Sequence, residues 1–231
     1  MGNERAVENK MNNNKNVIAT ASQKNENANV ITISSQKNEN ANVIATASQV
    51  NKNNIEIKLA SIEHAAQIYG VMKQVYEQLE DKTLYVCDSF EYVKAHITEE
   101  GFIVIACSEE EKIVGSFIVR YPGLNEDNLG RDIGLKEEQL LQVVHMESVV
   151  VLPEYRGRGL QLAMLNFAEE QIDKEKYNYL MATVSPDNPW SYRSFEQKGY
   201  ELKLTKNKYE GLERRIYLKE IRRYHSVKYF L

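Results

Sequence analysis

From about residue 55 onward the sequence predicts a domain of the α/β class, on three observations. Apolar runs rich in β-formers recur, amphipathic segments of helical period lie between them, and the two kinds alternate along the chain. That order suits a sheet covered on both faces. "IEIKLA" (55–60) alternates like a strand, and Ser61 caps the apolar-periodic stretch "SIEHAAQIYGVMKQVYEQL". The loop "EDKTLYVCDS" leads to a second helix over 90–98. "GFIVIACS" and "KIVGSFIVRY" read as strands joined by the charged turn "EEEK". A glycine-containing, mainly acidic loop fills 122–139. "LLQVVHMESVVVL" is the longest β-like run, and Pro153 ends it. A helix from 160 to about 172, the strand "YLMATVS", a helix over about 190–198 and strands near "YELKL" and "RRIYL" complete the domain.

Composition narrows the function. The 231 residues are 42% hydrophobic and 27% charged, with a formal net charge of -4. This is enough apolar material for a core, and the acidic balance argues against a nucleic-acid coat. Cys87 and Cys107 have no CxxC spacing and are expected to be reduced thiols, with no metal. No apolar run reaches the roughly 20 residues of a membrane helix, and "MGNERAVENK" has no apolar signal core. Gly2 suggests myristoylation, but Ala6 stands where that signal wants Ser or Thr. The expectation is a cytoplasmic protein, monomer or homodimer, with neither membrane nor nucleic acid as partner.

Residues 1–52 are a different material from the domain at 53–231. "NVIATASQKNENA", "NVITISSQKNENA" and "NVIATASQVNKNN" repeat in tandem with a period of about thirteen, and the first aromatic residue of the chain is Tyr69. So Asn-rich a tract buries too little apolar area to offset its ordering entropy, which predicts a disordered tail. The alternative is that the "NVIATAS" blocks pair as strands and support self-association.

The joint "VLPEYRGRGLQ" (151–161) is where chemistry first shows. Gly157 and Gly159 let the backbone turn sharply and approach a ligand closely. The helix beginning at Leu160 offers unpaired N–H groups and its positive dipole end, which suits a phosphate. Arg156 and Arg158 add positive charge. Neither a Walker pattern nor a dinucleotide fingerprint is present. An ordinary strand-to-helix turn is the plain alternative.

This stretch resembles the acyl-CoA loop of the GNAT superfamily of N-acyltransferases, Gln/Arg-x-x-Gly-x-Gly/Ala. Arg156 and Gly159 match, and Gln161 departs from the small last residue. A second motif of the superfamily resembles "NPWSYRSFEQKGY", through Asn188, Ser191, Phe195, Gly199 and Tyr200. The resemblance implies a mixed, mostly antiparallel, twisted sheet of six or seven strands flanked by about four helices and splayed between the fourth and fifth. It implies acetyl-CoA as co-substrate and transfer of the acetyl group to a primary amine by direct attack with general-base help. The CoA-binding set would be Val149, Val150 and Val151, the loop residues Arg156, Gly157, Arg158, Gly159, Leu160 and Gln161, and Asn188, Ser191 and Phe195.

Period two along "HMESVVV" places His145, Glu147, Val149 and Val151 on one face. Glu147 falls where many family members carry a general base, and a carboxylate among valines costs several kcal/mol unless something compensates it. His145 could orient Glu147, act as base itself or fill the sheet. The family's thiolate acid is a Tyr where this chain has Phe195, so the expectation is that Tyr192, Ser191 or a water supplies the proton, or that the thiolate leaves unassisted. Acidic loops at 80–92 and 122–139 would wall the acceptor and suit a cationic amine. Two rivals remain at this stage: an acyl-CoA-binding or regulatory module with weak catalysis, and a self-associating protein whose repeats carry the role.

Overall fold

The computed structural model describes residues 6–11, 17–24, 30–37, 43–50 and 54–221. Within the repeats lie the strands β1 (Ala6–Met11), β2 (Val17–Lys24), β3 (Val30–Lys37) and β4 (Val43–Val50). The domain contributes β5 (Glu56–Leu59), β6 (Gly101–Cys107), β7 (Ile113–Arg120), β8 (Val143–Val151), β9 (Tyr179–Val184), β10 (Glu201–Lys208) and β11 (Leu212–Glu220). All join one sheet in the order β1-β2-β3-β4-β5-β6-β7-β8-β9-β11-β10. Every neighbouring pair is antiparallel except β8 with β9.

Composition predicts disorder for residues 1–52, whereas the described parts of that tract are extended. Each block pairs with the next as an antiparallel neighbour, which pairs backbone groups along the sheet. The last block docks on the domain: Ser48, Gln49 and Val50 pair with Lys58, Ile57 and Glu56. Gln49 Nε2 also donates to Glu170 at 2.8 Å.

The helices are α1 (Ala65–Gln78), α2 (Phe90–Thr98), the single turn α3 (Glu137–Leu140), α4 (Leu160–Gln171) and α5 (Pro189–Gln197). Ile68, Met72 and Val75 bury the inner face of α1, and Leu160, Met164, Leu165, Phe167 and Ala168 that of α4. β7 is buried along its whole length, because helices cover both of its faces. A Cβ added at Gly115 would meet Met164 of α4 at 3.2 Å. Arg120, five residues on and so turned the other way, faces the α2 side, where Tyr92 and Glu147 meet. The acidic loop before β8 holds a 3-10 turn at Leu129–Ile133, which its sequence did not announce.

Two irregularities shape the centre of the sheet. Only Val143–His145 pair with Tyr179–Met181, although β8 runs on to Val151 and β9 to Val184. From Met146 onward these strands part. The second irregularity is a register slip: Val149 stands across from Phe117, but Met146 stands across from Val119. Glu147 and Ser148 together oppose Ile118, which is a β-bulge. His145 therefore shares a face with Arg120, while Val149 and Val151 share one with Phe117 and Gly115. The uninterrupted alternation expected from the sequence is corrected here: the bulge turns Val149 and Val151 away from His145 and Glu147.

Candidate active site

The parting of β8 and β9 opens a cleft of about 900 Å³. One half is lined by Val149–Val151, the turn after β8 and the start of α5. The other is lined by Tyr85, Asp88, Tyr92, Arg120, Asp127, His145, Glu147 and Tyr209.

In the first half, the backbone decides which groups are free. Leu152 N donates to Val114 on β7 at 2.9 Å, so alternation aims the backbone groups of Val150 at β7 and those of Val149 and Val151 at the parted side. Val150, expected among the CoA contacts, spends its backbone on the sheet, and its side chain is buried. Val151 O accepts from Arg156 Nε at 3.2 Å, which draws that arginine back over the turn. Gly157 and Gly159 have φ of 73° and 74°, a left-handed conformation that any side chain would strain. Nothing lies within 4 Å of a Cβ at either position, so the space before the α4 N-terminus is open. That terminus, with Gly159 as its cap, meets the requirements for an anion.

Arg158 is corrected: its side chain does not line the cleft but stacks on Tyr155 at 4.8 Å and donates to Glu154 O. Leu160 is buried in the core. Gln161 reaches toward α5, its Nε2 3.4 Å from both Ser191 O and Ser191 Oγ. Its side chain thus ties the two motifs together, which explains a residue larger than the family pattern. Asn188 caps α5 by accepting from Ser191 N at 3.1 Å. Phe195 and Ser191 line the cleft on that helix; Tyr192 does not. The Tyr192 ring lies 4.5 Å from the Arg215 guanidinium instead, one residue step around the helix from Ser191. The expected donor role for Tyr192 is corrected accordingly.

In the second half, Glu147 is enclosed by donors. His145 Nδ1 lies 3.1 Å from Glu147 Oε1, Tyr92 OH donates to Oε2, and Arg120 Nη1 is 3.6 Å from Oε1. Burial pushes the carboxyl up, but the hydrogen bonds from His145 and Tyr92 and the Arg120 charge outweigh it and hold Glu147 below the ordinary carboxylate range. His145 is 3% exposed, and its Nε2 accepts from Leu129 N at 3.0 Å. An Nε2 acceptor requires the proton on Nδ1, which then donates to Glu147. With both nitrogens engaged, His145 orients Glu147 and has no lone pair left for a base; that correction follows from the fold of the 122–139 loop over β8.

Arg120 also makes a two-pronged pair with Asp127 at 2.6 and 3.1 Å. Ser148 Oγ donates to Asp88 Oδ2. Tyr209, in the β10–β11 turn, meets Thr183 Oγ1 at 2.9 Å. The acidic stretch 80–92, expected to wall the acceptor, contains Asp88 and Tyr92, though neither was singled out. Sequence reasoning missed Arg120 and Tyr209, of which only Arg120 left a signal, as the charge that ends an otherwise apolar strand. Among the described residues, no group of His, Cys, Asp and Glu is placed to hold a metal ion.

A sheet parted at its centre, with an anion-binding helix start beside the gap, defines an acyl-CoA N-acyltransferase fold. The chain belongs to the acetyltransferase (GNAT) family, whose model matches residues 62–200, and this family transfers acetyl groups from acetyl-CoA. Solved structures with the same fold include a GNAT acetyltransferase from Streptococcus pneumoniae, at 15% identity and a TM-score of 0.55, covering 72% of this chain and 99% of that one. The ribosomal-protein-S18-alanine N-acetyltransferase from Escherichia coli is similar at 15% identity and a TM-score of 0.56, covering 76% and 99%. A NatC complex bound to Gag peptide and CoA is similar at 12% identity and 0.56, covering 73% and 99%. None of the curated proteins matches.

Proposed function

We propose that this protein transfers the acetyl group of acetyl-CoA to a primary amine in the cleft between β8 and β9. The observation that carries the reading is the junction of two half-sites: the part of β8 around Val149 that no longer pairs with β9, beside an open α4 N-terminus, and a carboxylate-lined chamber behind them. Acetyl-CoA supplies the activated thioester carbonyl. The Gly157–Gln161 turn and Arg156 hold its pyrophosphate, and Asn188 and Ser191 flank the pantetheine arm. Backbone N–H from the parted part of β8 polarises the carbonyl. Glu147, kept anionic by its donors, attracts the acceptor's ammonium. Ser191 Oγ, a hydroxyl of α5 that lines the cleft, can return a proton to sulfur.

Phe195 offers no proton at the position where the family has Tyr, and this favours one rival, a CoA-binding module with weak catalysis. Thiol release from acetyl-CoA with aliphatic diamines, an amino sugar and a peptide with a free N-terminus separates the two. Amine-dependent release supports transfer; CoA binding without any release supports the module.

A further inference from the structure

Three carboxylates line the acceptor half of the cleft: Asp88, Asp127 and Glu147. Two of them share the Arg120 guanidinium, and Glu147 also takes donors from His145 and Tyr92. A carboxylate so fully occupied is a good anchor for positive charge and a poor proton acceptor. Asp88 is different. Among the described residues its side-chain partner is Ser148 Oγ, from the bulge where β8 leaves β9, and no lysine or arginine there pairs with it. The Tyr85 hydroxyl is buried and faces the same pair. The loop between α1 and α2 thus presents a carboxylate with spare acceptor capacity beside the reactive end of β8.

We propose that Asp88 is the catalytic base for the amine transfer described above, with Glu147 as its electrostatic partner. The step is balanced as follows. An N–H bond of the acceptor ammonium breaks, the proton goes to the Asp88 carboxylate, and the electron pair stays on nitrogen. That pair forms the C–N bond as the thioester C–S bond breaks. Sulfur takes the second proton from nitrogen, relayed through Ser191 Oγ, and Asp88 releases its own to water. The surroundings suit this cycle. Burial lifts the Asp88 carboxyl and Glu147 repels its charge, while the Ser148 hydroxyl restrains the rise. The other titratable groups facing it are Tyr85 and Cys87 of its own loop, Tyr92 and His96 of α2, and Tyr209 of the β10–β11 turn.

The test compares the full-length protein with Asp88→Asn, Glu147→Gln and Ser148→Ala, following amine-dependent thiol release against pH. Asp88→Asn is expected to lower kcat roughly 100-fold or more, to erase the acid limb of kcat/KM, and to leave acetyl-CoA binding unchanged by calorimetry. Ser148→Ala removes a donor to the charged form and is expected to move that limb to higher pH. This second variant decides the matter if Asp88→Asn does not fold. Glu147→Gln is expected to weaken amine binding and keep the limb. An acid limb that survives Asp88→Asn, or vanishes only in Glu147→Gln, overturns the assignment while the transfer reading stands. No amine-dependent release by the unsubstituted protein overturns both.

Discussion

Arg120 and His145 face each other across the β7–β8 pair, and the Glu147 carboxylate lies between them, 3.6 Å from one and 3.1 Å from the other. The bulge makes this possible, because it holds Glu147 on the face of His145 while Val149 beyond it turns away. His145 completes the arrangement through Leu129 N. His145→Ala would leave a backbone donor and a carboxylate lone pair unsatisfied. The expected cost is about 1–3 kcal/mol in urea unfolding, with a lower kcat and an unchanged KM for acetyl-CoA.

Glu147 also sets an acid dependence of stability. A carboxyl held below its ordinary value of 4.5 contributes stability that is full above that value and lost as pH falls through the folded one. Glu147→Gln should therefore be less stable than the native chain at neutral pH, and the gap should narrow in acid. Urea midpoints at about pH 7 and about pH 4 measure it.

Tyr92 tests the same carboxylate from the helix side. Tyr92→Phe removes the donor to Oε2, so the carboxylate form loses stabilisation and its pKa rises. Carboxyl chemical shifts followed through an acid titration should show Glu147 titrating higher than in the native protein.

The turn before α4 yields a contrast between one glycine and two arginines. Gly159→Ala imposes a side chain at φ 74°, at a cost of roughly 1–2 kcal/mol, and tilts the helix start. CoA affinity should fall about tenfold or more with the circular dichroism spectrum retained. Arg156→Ala should weaken CoA more than Arg158→Ala, because Arg156 lines the cleft whereas Arg158 is engaged with the Tyr155 ring and Glu154 O. Calorimetric titration with CoA ranks the three.

Removal of residues 1–52 should leave transfer rates within about twofold. β4 pairs with the domain along β5, and β5 is separated from β8 by two strands at roughly 4.8 Å spacing. The expected loss is in thermal stability, since the β4–β5 pairing and the Gln49–Glu170 bond disappear. A drop in light scattering on truncation would add a self-association role to the repeats.

Much of this architecture was legible residue by residue. Strand and helix periods, the proline after β8, and the paired glycines before α4 follow from local stereochemistry, so they can be read along the chain. The two family motifs and the odd Glu147 among valines were visible for the same reason. Three features were not. A bulge changes which face a side chain takes without changing composition, so the partition of β8 was hidden. The idle face of α5 that carries Tyr192 depended on where Arg215 lies, 23 positions away in the chain. The partners of Glu147 come from α2, β7 and β8, and nothing in their separate sequences announces the meeting.

The sequence by itself therefore determined the element order, the family and the anion-binding turn, because each rests on short-range geometry and spacing. The tertiary structure alone decided which carboxylates share the Arg120 guanidinium and which one faces the Ser148 hydroxyl. That distinction depends on distances of 3 to 4 Å between side chains brought from four elements, and charge interactions at such range are set by packing, not by order along the chain.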